Sequence, residues 1–364
     1  MMSVSIVAGP AARVVTDKIR NRAARLRVFE PISGSNPDRI IEQITTFAQD
    51  GETDHLIIQC EADRPIMAYA SLFADPSGAL ASLCPLTTAV FAIKSATFLD
   101  SLLNRKATSA SPCFIAEQLE LVTDILFDGD ADDPDLPLAR AIAQTLNPRA
   151  RIALLTESAL ASFRDHAAAP FDFEKALEGA GWRKLLDEKI STPGGRDEVT
   201  AFAYQARRPF HPERFWALLQ KELPGLFRAK GFFWLATRMD EAGGLNLAGA
   251  ELQCASAGQW WAARAARVRD SEMPERTRKE WREPFGDRRQ SFAVMALGGD
   301  RRLLQRQLDG CLLTDNEMAG GPDSWRSFTD PFPSWSAHAH THQHDHECDH
   351  DHDHGSHEHD CCGH

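Results

Sequence analysis

The sequence predicts an α/β domain on a largely parallel sheet, then a small α+β domain, then a disordered histidine-rich tail. Three observations carry this prediction. Apolar, strand-like runs alternate with helical patterns through the first half of the chain. A turn-rich stretch at 187–197 then separates that half from a strand, helix, strand, strand, helix order. Hydrophobic patterning stops after Trp335, and eleven of the fourteen histidines lie beyond it. The predicted divisions are residues 1–190, 198–335 and 336–364.

Taken in order, residues 4–8 (VSIVA) read as a short buried strand and 38–47 (DRIIEQITTF) as an amphipathic helix. Residues 55–60 (HLIIQC), 88–93 (TAVFAI), a strand starting at Asp124, and 151–155 (RIALL) continue the sheet. Helical patterns at 95–104, 115–121 and 137–146 lie between the later strands. In the second half, 198–204 alternates as a strand, and 211–223 reads as a helix with Pro212 near its start. The apolar run 231–237 (GFFWLAT) reads as a strand, with 245–254 as its pairing partner. Residues 272–283 are charged and read as an exposed excursion. A strand at 291–297 and a helix at 301–308 complete the domain.

The charge is unevenly distributed. The chain carries 40 basic and 52 acidic residues, a net charge of −12. Seven acidic residues and no Lys or Arg fall in 336–364, so the body carries only −5. This mild acidity argues against nucleic-acid binding. No apolar run reaches the length of about 18 residues that a membrane helix needs. The first twenty residues lack a signal-peptide pattern. Cysteines 60, 84, 113, 254 and 311 are scattered, as reduced thiols of a cytoplasmic protein would be.

Five motifs in the second half occur in a telling order. They are Arg208-Pro209-Phe210-His211-Pro212-Glu213-Arg214-Phe215-Trp216, then Arg228-Ala229-Lys230-Gly231-Phe232-Phe233-Trp234-Leu235-Ala236. Phe285-Gly286-Asp287-Arg288-Arg289-Gln290, Leu312-Leu313-Thr314-Asp315-Asn316-Glu317-Met318 and Asp330-Pro331-Phe332-Pro333 follow. In this order and spacing they resemble the C-terminal domain of the CobW family of metal-handling P-loop GTPases. The resemblance covers about 198–335. It implies a preceding GTPase-like domain, a histidine-rich segment and a link to zinc, cobalt or nickel delivery.

The first domain is similar to that GTPase in outline only. The family opens on a strand followed by G-x-x-x-x-G-K-[ST]. Here Gly9 and Thr16 keep the spacing, but Val14 stands in place of the second glycine and Val15 in place of the lysine. Glycines let backbone N–H groups close on phosphate, and the lysine neutralises charge, so valine supplies neither function. The family's C-x-C-C metal motif is matched by 29–39 (FEPISGSNPDR), which has no cysteine. Gln59 takes the Walker B acidic position, and Cys60-Glu61-Ala62 replaces Thr-Ser-Gly. The guanine-reading N-K-x-D becomes Phe127-Asp128-Gly129-Asp130, which keeps only Asp130. Gly9, Thr16 and Asp130 are thus what remains of a nucleotide site. Phosphoryl transfer depends on positioning and charge neutralisation, so the expected scaffold does not hydrolyse GTP.

The tail carries the metal chemistry. Its candidate ligands are His338, His340, His342, His344, His346, Cys348, His350, His352, His354, His357, His359, Cys361, Cys362 and His364. Histidine recurs at every second position through much of it, interleaved with Asp and Glu. Such a composition cannot bury an apolar core, so disorder without metal is expected. Neutral imidazole binds Zn2+, copper, Ni2+ and Co2+, and thiolate favours softer ions such as Zn2+ and Cu(I); Zn2+ is the expected ion, with Co2+ or Ni2+ as alternatives. A purification tag would be an uninterrupted histidine run, which this is not. Without a C-x-x-C pair, several interconverting sites are expected, which suits capture and buffering.

Other features have plainer readings. Cys60 reads as a buried strand cysteine, and a metal site shared by Cys84 and Cys113 is not favoured. His211 is explained by packing or capping at a helix start. Phe232-Phe233-Trp234 reads as core. Trp260-Trp261, Arg228 with Lys230, and Arg288 with Arg289 are candidate partner surfaces, with a solvated face as the default for the basic pairs. The expected function is capture, buffering or delivery of zinc or a similar divalent ion by a CobW-like protein with an inactive GTPase scaffold. Two alternatives stay open. One is a working GTP- and Mg2+-dependent metallochaperone with an atypical nucleotide site. The other is a non-catalytic partner of an intact family GTPase. A client metalloprotein is an expected partner; nucleic acid and membrane are not.

Overall fold

The computed structural model describes residues 2–20, 25–32, 34–61, 63–75, 78–106, 111–156, 158–160, 169–188, 192–193, 199–221, 223, 225–298 and 300–335. All fourteen tail ligands therefore lie outside the described residues.

The first half forms strands β1 (Ser3–Ala8), β2 (Leu26–Phe29), β3 (His55–Gln59), β4 (Leu86–Lys94), β5 (Asp124–Asp128) and β6 (Arg151–Leu154). They make one sheet in the order β2-β3-β1-β4-β5-β6, every neighbouring pair parallel. Eight of nine β4 residues are buried, as expected of a strand covered on both faces. The helices are α1 (Ala12–Arg20), α2 (Pro37–Gln49), α3 (Ile66–Ala70), α4 (Ala79–Leu83), α5 (Ser95–Leu102), α6 (Pro112–Leu121), α7 (Leu136–Leu146), α8 (Phe173–Gly179) and α9 (Gly181–Glu188). Helix α2 starts at Pro37 behind Asn36, whose side chain accepts from the Asp38 N–H at 3.0 Å. Helix α6 starts the same way, with Ser111 accepting from the Phe114 N–H at 3.1 Å.

The second half adds β7 (Thr192–Pro193), β8 (Val199–Ala206), β9 (Leu226–Phe233), β10 (Glu241–Ala248), β11 (Glu251–Gln259) and β12 (Gln290–Leu297). This sheet runs β11-β10-β9-β12-β8-β7 with antiparallel pairing. Helices α10 (Pro212–Leu219), α11 (Ala266–Glu272), α12 (Glu275–Glu280), α13 (Arg301–Asp309), α14 (Asp315–Ala319) and α15 (Gly321–Trp325) complete it. One apolar core joins the two halves: Val199, Phe227, Ala248 and Met295 of the second sheet sit in a cluster with Leu99 of α5, Ala116 of α6 and Ala139 of α7.

The fold corrects several expectations. The strand placed at 231–237 is β9, which begins five residues earlier. Its charges, Arg228 and Lys230, disguised it; they are neutralised by α6 rather than by water. Residues 234–236 instead exchange backbone hydrogen bonds with Phe210. The single strand at 245–254 is a hairpin, broken at Gly249 with φ +54°. The helix placed at 211–223 ends at Leu219. Strand β2 and helix α1 carried no sequence expectation. Most residues of 272–283 are exposed, as predicted.

Candidate functional site

In an open parallel sheet, ligands bind beyond the carboxyl ends of strands where the winding reverses. Here that place is the end of β1, between β3 and β4. Gly9 ends β1 with φ +96°, and a Cβ there would meet the Ala92 carbonyl oxygen at 2.4 Å. The turn is short. The Ala11 N–H donates to Ala92 O at 3.0 Å, the Ala12 N–H donates to Gly9 O at 3.0 Å, and α1 is already under way. The residues that a phosphate loop would hold as open backbone are thus helical from Ala12 onward. Val15 is fully buried in the apolar cluster behind β1 and β4.

Thr16 is also fully buried. Its hydroxyl donates to Gln59 Oε1 in a short hydrogen bond and lies 3.1 Å from the Arg13 carbonyl. The structure therefore brings the retained threonine to the substituted Walker B residue. Asp130 stands apart, exposed in the turn after β5, two strands from β1. Next to it, Asp133 accepts from the Ser95 hydroxyl, and this bond holds its carboxyl below the usual range.

Past the end of β3 lies a cluster that sequence reasoning missed. Cys60 and Tyr69 are buried, and Glu61 Oε1 has no hydrogen-bond partner among the described residues. Burial pushes the Cys60 thiol far up, and pushes Tyr69 to about 12 with Cys60 contributing. Arg64 pairs with Glu61 at 3.5 Å and sits 5.1 Å from the Tyr69 ring centre. An acid, Glu61, directly after an apolar strand was the available signal.

The five described cysteines are free. Burial raises Cys84 to about 11, Cys113 to about 12, Cys254 to about 12 and Cys311 to about 11. Thiolate is the metal ligand, so these thiols are poor ligands as they stand. Among the described residues no group of three or more His, Cys, Asp or Glu is arranged to hold a metal ion.

The basic pair on β9 faces inward. Arg228, fully buried, donates from Nε to Glu120 Oε1 at 2.8 Å and from Nη1 to Asn246 Oδ1 at 2.6 Å. Lys230 reaches Glu117 and Glu120, each at 3.2 Å. Burial alone would raise Glu120, but Arg228 and Lys230 outweigh it and keep the carboxyl ionised. The solvated-face expectation for this pair is therefore wrong: the two residues fasten the second sheet to α6. Trp260 and Arg288 are likewise buried. His211 makes no capping hydrogen bond; its ring stacks on Phe328 at 4.7 Å, so packing explains it. Phe233 and Trp234 are core, while Phe232 is 41% exposed.

Comparison with known proteins places these features. A family model described as the cobalamin synthesis protein cobW C-terminal domain matches residues 199–312. Zinc-regulated GTPase metalloprotein activator 1 of Dictyostelium discoideum is 27% identical over 317 residues, which is 80% of this chain and 66% of that protein. A zinc chaperone of Mycobacterium tuberculosis is 37% identical over 206 residues, 55% of this chain and 50% of that protein. The aligned chain thus spans less than two thirds of each relative. The Zn(II)-bound YjiA GTPase from E. coli aligns with a TM-score of 0.36 and 11% identity over 86% of this chain and 99% of that one. Among the described residues, no helix is long and apolar enough to cross a membrane.

Proposed function

From a chain whose residues 199–312 match the CobW C-terminal domain, we propose a cytoplasmic zinc-handling protein. Its tail, 336–364, captures the ion, and its first domain is a GTPase-like scaffold that does not hydrolyse GTP. One observation carries the reading: eleven histidines and three cysteines occur within 29 residues. Two relatives bear names that refer to zinc, which supports zinc over cobalt or nickel.

In this reading zinc is cargo. Neutral imidazoles of the tail take it up, and Cys348, Cys361 and Cys362 join as thiolates, releasing protons to solvent. Interleaved carboxylates raise the local concentration of divalent cations. Many near-equivalent ligand sets allow the ion to step between them and onto a client metalloprotein.

The residues at the end of β1 do not fit magnesium-bound GTP. The Thr16 hydroxyl, which would meet the metal, is engaged with Gln59, a neutral amide in place of an acid. Val15 offers no charge, and helix α1 occupies the place of the loop. A second reading, an active GTP-dependent chaperone, is favoured by the name of the Dictyostelium relative. A third is a non-catalytic partner of an intact family GTPase.

Calorimetry on the full chain separates the first two. The proposal expects saturable binding of zinc and no heat from GTP with Mg2+ up to millimolar concentration. GTP binding that zinc alters would establish the second reading instead.

A further inference from the structure

The zinc reading leaves the basic excursion of the second domain without a role. Residues 264–289 hold nine Lys or Arg against six Asp or Glu, a net +3 inside a chain of net −12. Arg207 follows β8 and Arg289 precedes β12, where Ala206 pairs with Gln290, so both arginines lie at one end of the second sheet. Arg276, on α12, joins them from above: its helix also carries Glu280, which accepts from Arg207 Nη2 at 2.7 Å. Arg276 itself pairs with Asp187 on α9, and Arg183 lies 3.9 Å from the same carboxylate.

Four guanidinium groups thus face three carboxylates, those of Asp187, Glu280 and Asp287. Arg289 is the least neutralised. It is half-buried, and its Nη1 donates to the Asp287 carbonyl at 2.8 Å. Burial lowers its pKa most; Glu280 and Asp287 offset part of this, and Arg207 and Arg276 lower it further. A guanidinium carries five N–H donors, so the site has donors and charge to spare for a further carboxylate. Glu280 already sits on Arg207 in the way that such a ligand would.

The chain carries a matching segment. Residues 336–364 contain seven Asp or Glu and no Lys or Arg. They begin directly after Trp335, which packs on Phe233 of β9 with ring centres 5.9 Å apart. Twenty-nine residues can span up to about 95 Å, while a six-stranded sheet is only about 29 Å wide. A tether of this length also keeps the tail at an effective concentration that a free peptide would rarely reach.

We propose that Arg207, Arg276 and Arg289 form a carboxylate-docking cluster whose occupant is the acidic tail, 336–364, of the same chain. Docking stands on charge and reach alone. A corollary rests on the zinc reading: each bound Zn2+ reduces the tail's negative charge and so loosens the contact, presenting a loaded tail to a client.

Lys279, on α12 next to Glu280, 72% exposed and paired with Glu275 at 2.7 Å, gives the test, its Glu275 bond serving as the internal reference. Carbodiimide coupling of the full, metal-free chain joins amines only to carboxylates in contact with them, and mass spectrometry locates the bonds. At low salt, Lys279 is expected to couple to Asp345, Glu347, Asp349, Asp351, Asp353, Glu358 or Asp360. Raising salt from about 20 to 500 mM should cut the yield about tenfold, because exposed charges are screened within a few ångström. Arg207→Gln with Arg289→Gln should do the same at low salt. The docking proposal fails if tail carboxylates couple equally to lysines across the surface, such as Lys18 and Lys175, or if no bond from Lys279 to the tail forms. Bonds found only between isotopically distinct chains would overturn the same-chain occupant. Loss of the bond on zinc addition supports the corollary. Zinc bound with the bond unchanged removes the corollary, and no zinc bound removes the zinc reading, with docking untouched in either case.

Discussion

At the scale of single residues, the chemistry of the first domain turns on Gly9, Val15 and Thr16. Gly9 serves a tight turn here, and its left-handed φ and contact with Ala92 leave no room for a side chain. Gly9→Ala should destabilise the protein by about 2–3 kcal/mol, read by urea denaturation. An unchanged midpoint would mean that the turn is not as described. The missing lysine was legible in the sequence, because a motif position is either filled or not. The contact of Thr16 with Gln59 was not legible, since it joins residues 43 apart through sheet register. Glu317 offers a second residue-scale test. Hydrogen bonds from Arg214 hold its pKa down at about 2, against the smaller opposing effect of burial. Its folded pKa is depressed, so its contribution is present above the ordinary value of 4.5 and is lost as pH falls towards 2. Glu317→Gln should therefore cost about 1 kcal/mol at pH 7 and much less near pH 2, measured by denaturation at both.

At the scale of elements, helix α6 and strand β9 decide how the two sheets are joined. Their alternating patterns were only partly readable. A strand bearing Arg228 and Lys230 looks solvated until the partner acids, 108 and 113 positions away, are known. The hairpin of β10 and β11 was blurred for a related reason: apolar residues recur on both sides of Gly249, at Leu245, Leu247, Leu252 and Cys254. By contrast, β4 and α2 were legible because burial on both faces and a capped amphipathic pattern are local properties. Removing one member of a buried pair leaves the other charge uncompensated. Arg228→Ala should thus cost about 3–5 kcal/mol, whereas Arg228→Met with Glu120→Leu should recover most of that loss. Thermal denaturation of the two variants beside the parent chain checks this. A double variant as unstable as the single one would show that packing, not charge, dominates the site.

At the scale of the whole molecule, the folded body and the tail divide the cysteine chemistry. The five body thiols are raised by burial, which leaves Cys348, Cys361 and Cys362 as the reactive ones. Ellman's reagent at pH 8 should react rapidly with about three of the eight thiols, and added zinc should slow those three. Rapid reaction of five or more in the native protein would contradict the burial described. Zinc capture should also weaken as pH falls, because a protonated imidazole has no lone pair to give the ion. The central claim is that capture resides in 336–364 rather than in the body. Its most direct measurement is the zinc stoichiometry of the full chain beside that of a chain ending at Trp335, by equilibrium dialysis at pH 7.5. Several ions per full chain and essentially none on the shorter one are expected; equal stoichiometry would place capture in the body instead.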